Sequence, residues 1–188
     1  LLSMYRRRIR RQKELSMIER IRELAAEMKP AMIDLAQRLI RTPSLSGQEK
    51  DVADLILAEL EKLGYDEVFR DPWGSVCGII HGTEPGPAIM YNGHMDHVDI
   101  GDPSEWHGYE PYGGVIDIDE MYNEAGDALE KTEVIHGRAA ADTKSGIACQ
   151  ISSQVKARIG AKSLASVWSV RYSAVCALRR DRLSAPSQ

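Results

Sequence analysis

Apolar residues in the first 63 positions recur at helical spacing. Leu15, Ile18, Ile21, Leu24, Ala25 and Met28 share one side of a helix, and Met32, Ile33, Leu35, Ala36, Leu39 and Ile40 continue the pattern. Pro30 either interrupts this run or opens a second segment, and Thr42-Pro43 stops it. Ser46-Gly47-Gln48-Glu49 has the S-x-x-E spacing of a capping box. It predicts a helix that buries Val52, Leu55, Ile56, Leu60 and Leu63 and ends at Gly64, a residue suited to a left-handed terminator. After that the period shortens. Residues 67–70 and 75–80 read as strands on either side of the turn Asp71-Pro72-Trp73-Gly74. A loop over 81–87 leads to Ala88-Ile89-Met90-Tyr91, four apolar or aromatic residues that predict a short buried strand broken by Asn92-Gly93. Residues 99–133 are acidic and irregular, punctuated by Trp106, His107, Tyr109 and Tyr112. Such a stretch suits the rim of a site as well as a plain surface excursion. Val134-Ile135 reads as a last short strand, followed by small residues and a helix starting near Thr143. Helix, strands and a later helix in this order predict an α/β layered domain.

Composition narrows the function classes. A length of 188 residues, 43% of them hydrophobic, suits one domain with an attached fragment. A net charge of −4 gives no electrostatic case for nucleic acid. Cys77, Cys149 and Cys176 are odd in number and form no C-x-x-C pair, which points to a reducing, cytoplasmic setting without a disulfide framework. No apolar run approaches the roughly 18 residues of a membrane span, and no secretory segment is evident, so no membrane partner is expected. The two ends differ from the middle. Residues 1–14, with Arg6, Arg7, Arg8, Arg10 and Arg11, read as a disordered basic extension, or as upstream sequence translated before a start at Met4 or Met17. From Gln154 to Gln188 the only acidic residue is Asp181, among seven Lys and Arg. That stretch, 154–188, is read as an atypical basic tail that is out of frame from about Gln154, which leaves 15–153 as the domain proper.

Candidate chemistry clusters at the end of the 88–91 strand. On an extended backbone His94 and Asp96 point to one face, and Met95 and His97 to the other. A neutral imidazole is a common zinc ligand, and a carboxylate two residues on can hold its second ring nitrogen. Asp142 stands at the start of the later helix. There it is either a helix cap or, if that strand end neighbours His94, a carboxylate that bridges two metal ions. His81 reads as a loop residue, and His107 and His136 as non-ligands.

Four ordered stretches together resemble the M20 family of zinc-dependent peptidases and deacylases, which includes acetylornithine deacetylase and succinyl-diaminopimelate desuccinylase. Gly93-His94-Met95-Asp96-His97-Val98 is similar to the family's G-H-x-D-x-V. Gly137-Arg138-Ala139-Ala140-Ala141-Asp142-Thr143-Lys144-Ser145 is similar to G-R-G-x-x-D-x-K-G. Residues 39–49 and 63–68 fit the family's opening. The match runs from about residue 30 to 153 and looks closest to the hydrolase subgroup linked to selenium metabolism. The resemblance implies the N-terminal part of a zinc-peptidase-like three-layer domain, a mixed sheet flanked by helices. It implies two Zn²⁺ in the intact site, with Co²⁺ or Mn²⁺ as alternatives, and a small N-acyl amino acid or peptide as substrate. His94 would bind one metal, Asp142 would bridge both, and Asp96 would act in catalysis by orienting His94.

Departures from the family pattern bear on activity. Ala139 and Ser145 replace glycines. The Glu-Glu pair that follows the bridging Asp, one member being the general base, has no counterpart, since the last Glu is Glu133 and the last His is His136. The expectation is therefore a truncated, inactive relative of a metal-dependent amidohydrolase. Two alternatives stand beside it. One is a non-catalytic fragment that binds a metal or a partner, or associates with itself through exposed edges. The other is a metallo-β-lactamase-like hydrolase, whose H-x-H-x-D-H motif has Asn92 in place of the first His here.

Overall fold

The computed structural model describes the backbone of residues 2–82, 88–123, 125–160 and 165–171, and the side chains within 17–82, 88–123 and 125–153. Helix α1 runs Leu2–Arg41 as one element, with Pro30 inside it. The proline removes the hydrogen bond to the carbonyl of Ala26. Both residues are exposed, so water can satisfy that carbonyl and the helix continues. Helix α2 is Lys50–Lys62. Strands β1 (Glu67–Arg70), β2 (Val76–Ile80) and β3 (Ala88–His94) follow, then the hairpin β4 (Val115–Tyr122) and β5 (Leu129–His136), helix α3 (Ser145–Gly160) and strand β6 (Ala165–Arg171).

The predicted helix after Ser46 is present, but its cap is different. Glu49 occupies the N-cap position without a side-chain capping bond. Its carboxylate is buried and has no hydrogen-bond partner among the described residues. The Ser46 hydroxyl, the other half of the expected box, donates instead to Asp96 Oδ2 at 2.6 Å. A nearby carboxylate outcompetes the backbone amide because hydrogen bonds to charged acceptors are the stronger ones.

The α/β architecture is as predicted. The main sheet has the order β1-β2-β6-β3, with β1–β2 and β2–β6 antiparallel and β6–β3 parallel. β4 and β5 form a separate antiparallel pair. No strand was read from residues 165–171, yet this backbone fills the sheet between β2 and β3. The rest of the 154–188 tail beyond α3 and β6, including Asp181, lies outside the described residues. The strand at 88–91 is present and extends to His94, but it is not buried. Ile89 and Met90 are 41% and 62% exposed, because β3 is paired on one side only among the described residues.

One core joins the three helices to the sheet. Leu35 and Leu39 of α1, Val52, Ile56 and Leu60 of α2, Val76 and Ile80 of β2, Met95, and Ile147 and Ile151 of α3 are all buried in it. Tyr65 Oη donates to the carbonyl of Ile151 at 3.0 Å and ties the end of α2 to α3. Arg38 of α1 donates to Glu59 Oε2 of α2 at 2.8 Å. Leu39 is fully buried, so Leu39→Ala is expected to lower the unfolding free energy by about 2 to 5 kcal/mol in a urea titration. Met17→Ala, at a side chain 59% exposed, is expected to change it by less than about 0.5 kcal/mol. Among the described residues no helix is long and apolar enough to cross a membrane.

Candidate metal centre

Strand β3 ends at His94, and the turn before α3 brings Asp142 to it. His94 Nε2 lies 2.9 Å from Asp142 Oδ1. On the other side of the ring, Nδ1 lies 3.2 Å from Asp96 Oδ1 and 3.2 Å from the Asp96 carbonyl. Burial pulls the His94 pKa down, but the Asp142 hydrogen bond, the Asp96 carbonyl and the two carboxylate charges outweigh it, so the ring sits above its ordinary value. The Asp142 side chain is 87% exposed and that of His94 41%, so without a metal this ion pair is worth little.

The turn that carries Asp142 is locally constrained. Ala139 has φ 64° and ψ 9°, the left-handed region that favours glycine. A wide helical turn, Ala140–Lys144, follows, in which Asp142 (φ −122°, ψ 85°) and Thr143 are non-helical and the peptide between them is cis. Gly137 sits where α1 presses closest: a Cβ there would lie 2.4 Å from Ile40 Cγ2. Ile40 is fully buried and cannot swing away. Gly137→Ala is therefore expected to cost about 1 to 3 kcal/mol, read as a lowered urea midpoint. Lys144 is fully buried and donates to the Thr42 carbonyl at 2.6 Å, fastening the turn to the end of α1; burial lowers its pKa to about 8.

The segment after α1 is stitched along residues 95–97. Leu45 and His97 form a parallel bridge. His97 N donates to the Ser44 carbonyl at 2.9 Å, Ser44 N donates to His97 Nε2 at 2.8 Å, and Ser44 Oγ donates to the Met95 carbonyl at 2.6 Å. His97 is thus a buried structural imidazole: Nδ1 donates to the Val98 carbonyl, leaving Nε2 as the acceptor. Burial lowers its pKa. The unfolded chain binds the proton more readily, so stability conferred by neutral His97 is lost as pH falls below about 6.5. His97→Gln, which keeps a neutral acceptor, is expected to show a shallower loss of stability between about pH 6.5 and 5, read by urea titrations across that range.

A pocket of about 280 Å³ opens beside the pair, lined by His94, Asp96, His97, Val98 and the 137–142 turn. Arg138 Nη2 donates to the Ile100 carbonyl at 2.6 Å and its guanidinium lies 5.0 Å from the Trp106 ring centre, so part of the 99–114 stretch is fastened at the rim. The remainder of the region read as irregular is the β4–β5 hairpin. Its Val-Ile-Asp-Ile-Asp alternation was the available strand signal, masked by the density of acids. His136 stacks on Tyr109 with ring centres 3.9 Å apart, and His81 pairs with Glu67 at 2.8 Å; neither lines the pocket, nor does His107. Ser44 and Lys144 were assigned no role from sequence, and Ser46 was read only as a helix cap. The i, i+2 placement of the two serines on an extended segment was the signal that could have found them.

No protein-family model matches the sequence. Over 132 residues the chain is 32% identical to YgeY of Escherichia coli K12, described only as uncharacterized, covering 70% of this chain and 28% of that protein. The backbone superposes on human carnosine dipeptidase 1 with a TM-score of 0.61 at 14% identity, over 82% of this chain and 34% of that one. For the dipeptidase Dug1p of Saccharomyces cerevisiae the TM-score is 0.57 at 14% identity, over 79% and 33%. For YXEP of Bacillus subtilis, a dinuclear metal-binding peptidase of the M20 family, it is 0.50 at 18% identity, over 79% and 36%. The chain has the M20 peptidase fold. It spans about a third of the length of these relatives.

Within the M20 fold, His94 and Asp142 offer a donor set that fits a divalent ion of the zinc type: an imidazole nitrogen and a carboxylate oxygen, 2.9 Å apart in the lining of one pocket. The set is partial, since no group of three or more His, Cys, Asp or Glu side chains converges on a metal position among the described residues.

Proposed function

We propose that this chain carries the N-terminal, metal-binding portion of an M20-type hydrolase of amide bonds, whose substrates are small peptides or N-acyl amino acids. His94 and Asp142 would hold the metal, Asp142 in the bridging position, with Zn²⁺ as the native ion. When bound, such an ion polarises a carbonyl and lowers the pKa of water. Asp96 engages Nδ1 of His94, so that Nε2, which faces Asp142, would be the nitrogen offered to the ion. The observation that carries this reading is the 2.9 Å meeting of residues 48 positions apart, between two motifs that resemble the same family. The motifs around His94 and Asp142 resemble those of the selenium-metabolism-linked hydrolase subgroup.

The reading extends to a shortfall. Asp181 is the only carboxylate side chain after Asp142, so the chain of 188 residues lacks an evident general base and further ligands. It is proposed to bind metal and to turn over little or no substrate by itself.

Titration of the chain with Zn²⁺ against a chromophoric chelator tests the metal reading. One weakly held ion is expected, and its affinity falls as pH drops through the raised pKa of His94, because proton and metal compete for Nε2. Uptake that ignores pH between about 5 and 8 would count against His94 as a ligand.

A further inference from the structure

We infer that Ser46 is a positioning residue for the metal site, the outer end of a relay that runs Ser46–Asp96–His94. The inference rests on the proposed reading of His94 as a ligand. The relay is continuous. Ser46 Oγ donates to Asp96 Oδ2 at 2.6 Å, Asp96 Oδ1 lies 3.2 Å from His94 Nδ1, and His94 Nε2 faces Asp142 at 2.9 Å. Each carboxylate oxygen of Asp96 therefore has a separate task, one toward the imidazole and one toward the hydroxyl. A carboxylate held at one oxygen alone can rotate about its terminal torsion, which is broad and soft. Held at both, it fixes the plane in which the imidazole is engaged.

The hydroxyl is delivered by a segment with little freedom of its own. Ser44, two residues before, is fully buried and makes hydrogen bonds to His97 and Met95, and Leu45 bridges His97. The Lys144 ammonium holds the Thr42 carbonyl just upstream. Ser46 itself is exposed, whereas the side chain of the Asp96 it engages is only 14% exposed. The connection between α1 and α2 thus acts on the site from outside it, and the serine is used there instead of capping α2.

The experiment is a Zn²⁺ titration of the full chain and its Ser46→Ala, Ser46→Thr and His94→Ala variants, with the metal-free melting temperature of each as a check on folding. Direct partners of a ligand typically contribute about 10- to 100-fold in metal affinity, and Ser46 is one step further out. Ser46→Ala is expected to weaken Zn²⁺ binding by roughly 5- to 10-fold, to broaden the visible bands of bound Co²⁺, and to leave the metal-free melting temperature within about 2 °C. Ser46→Thr, which keeps the hydroxyl, is expected to restore both readouts. If His94→Ala loses the metal while Ser46→Ala binds as the parent does, the relay is wrong and the metal reading stands. If Ser46→Thr is as weak as Ser46→Ala, the hydroxyl is not the active feature and the relay is again wrong. A parent chain that takes up no Zn²⁺, or a His94→Ala variant that binds unchanged, overturns the reading of the site and the relay with it.

Discussion

Supplied with Zn²⁺ or Co²⁺, the purified chain leaves an N-acetyl amino acid and a simple dipeptide intact above the rate of a metal blank. This follows from the proposed site, in which water activation needs a second partner besides the metal. A positioned general base contributes about 10²- to 10⁴-fold, and an ion held by two protein ligands is itself poorly retained. The carboxylates beside the pocket are already engaged: Asp96 with His94 and Ser46, Asp142 with His94. Product formation followed by amine release over a day checks the expectation. Turnover that disappears in His94→Ala would show that the chain completes the site by means not seen among the described residues.

The second large effect concerns the metal itself. His94→Ala removes the only nitrogen donor in the pair, and zinc affinity is expected to fall by more than the roughly 100-fold that marks the upper end for outer partners. Asp96→Asn is a graded comparison. It keeps the shape of the side chain and removes its charge, and a loss within about 10- to 100-fold is expected. Chelator competition reads both. Equal losses in the two variants would place Asp96 among the ligands and not behind one.

Much of the architecture was legible because local patterns and tertiary packing agree. The 3.6-residue period over 32–40 and 52–63 is the face that α1 and α2 bury, and Leu39, Val52, Ile56 and Leu60 are fully enclosed. The capping box failed for a tertiary reason: Ser46 found a carboxylate 50 positions away. The hairpin at 115–136 was hidden because its strands lie largely exposed, and their acids read as loop. Strand β6 was hidden because Ala165–Arg171 carries apolar and polar residues on both faces, with no clean period of two.

The sequence by itself determined the residue types of the candidate centre, an imidazole and carboxylates at spacings that suit one strand end and one helix start. It could not determine that they meet, because 48 positions and a hairpin separate His94 from Asp142, and distance in space is set by sheet order and by the turn at Gly137. Only the tertiary structure assigned the two neighbouring histidines opposite tasks. His97, buried against Ser44, is neutral scaffolding, whereas His94, open to solvent at the strand end, keeps a nitrogen facing Asp142. The physical reason is that burial and hydrogen-bond partners, not residue type, decide which imidazole nitrogen remains available.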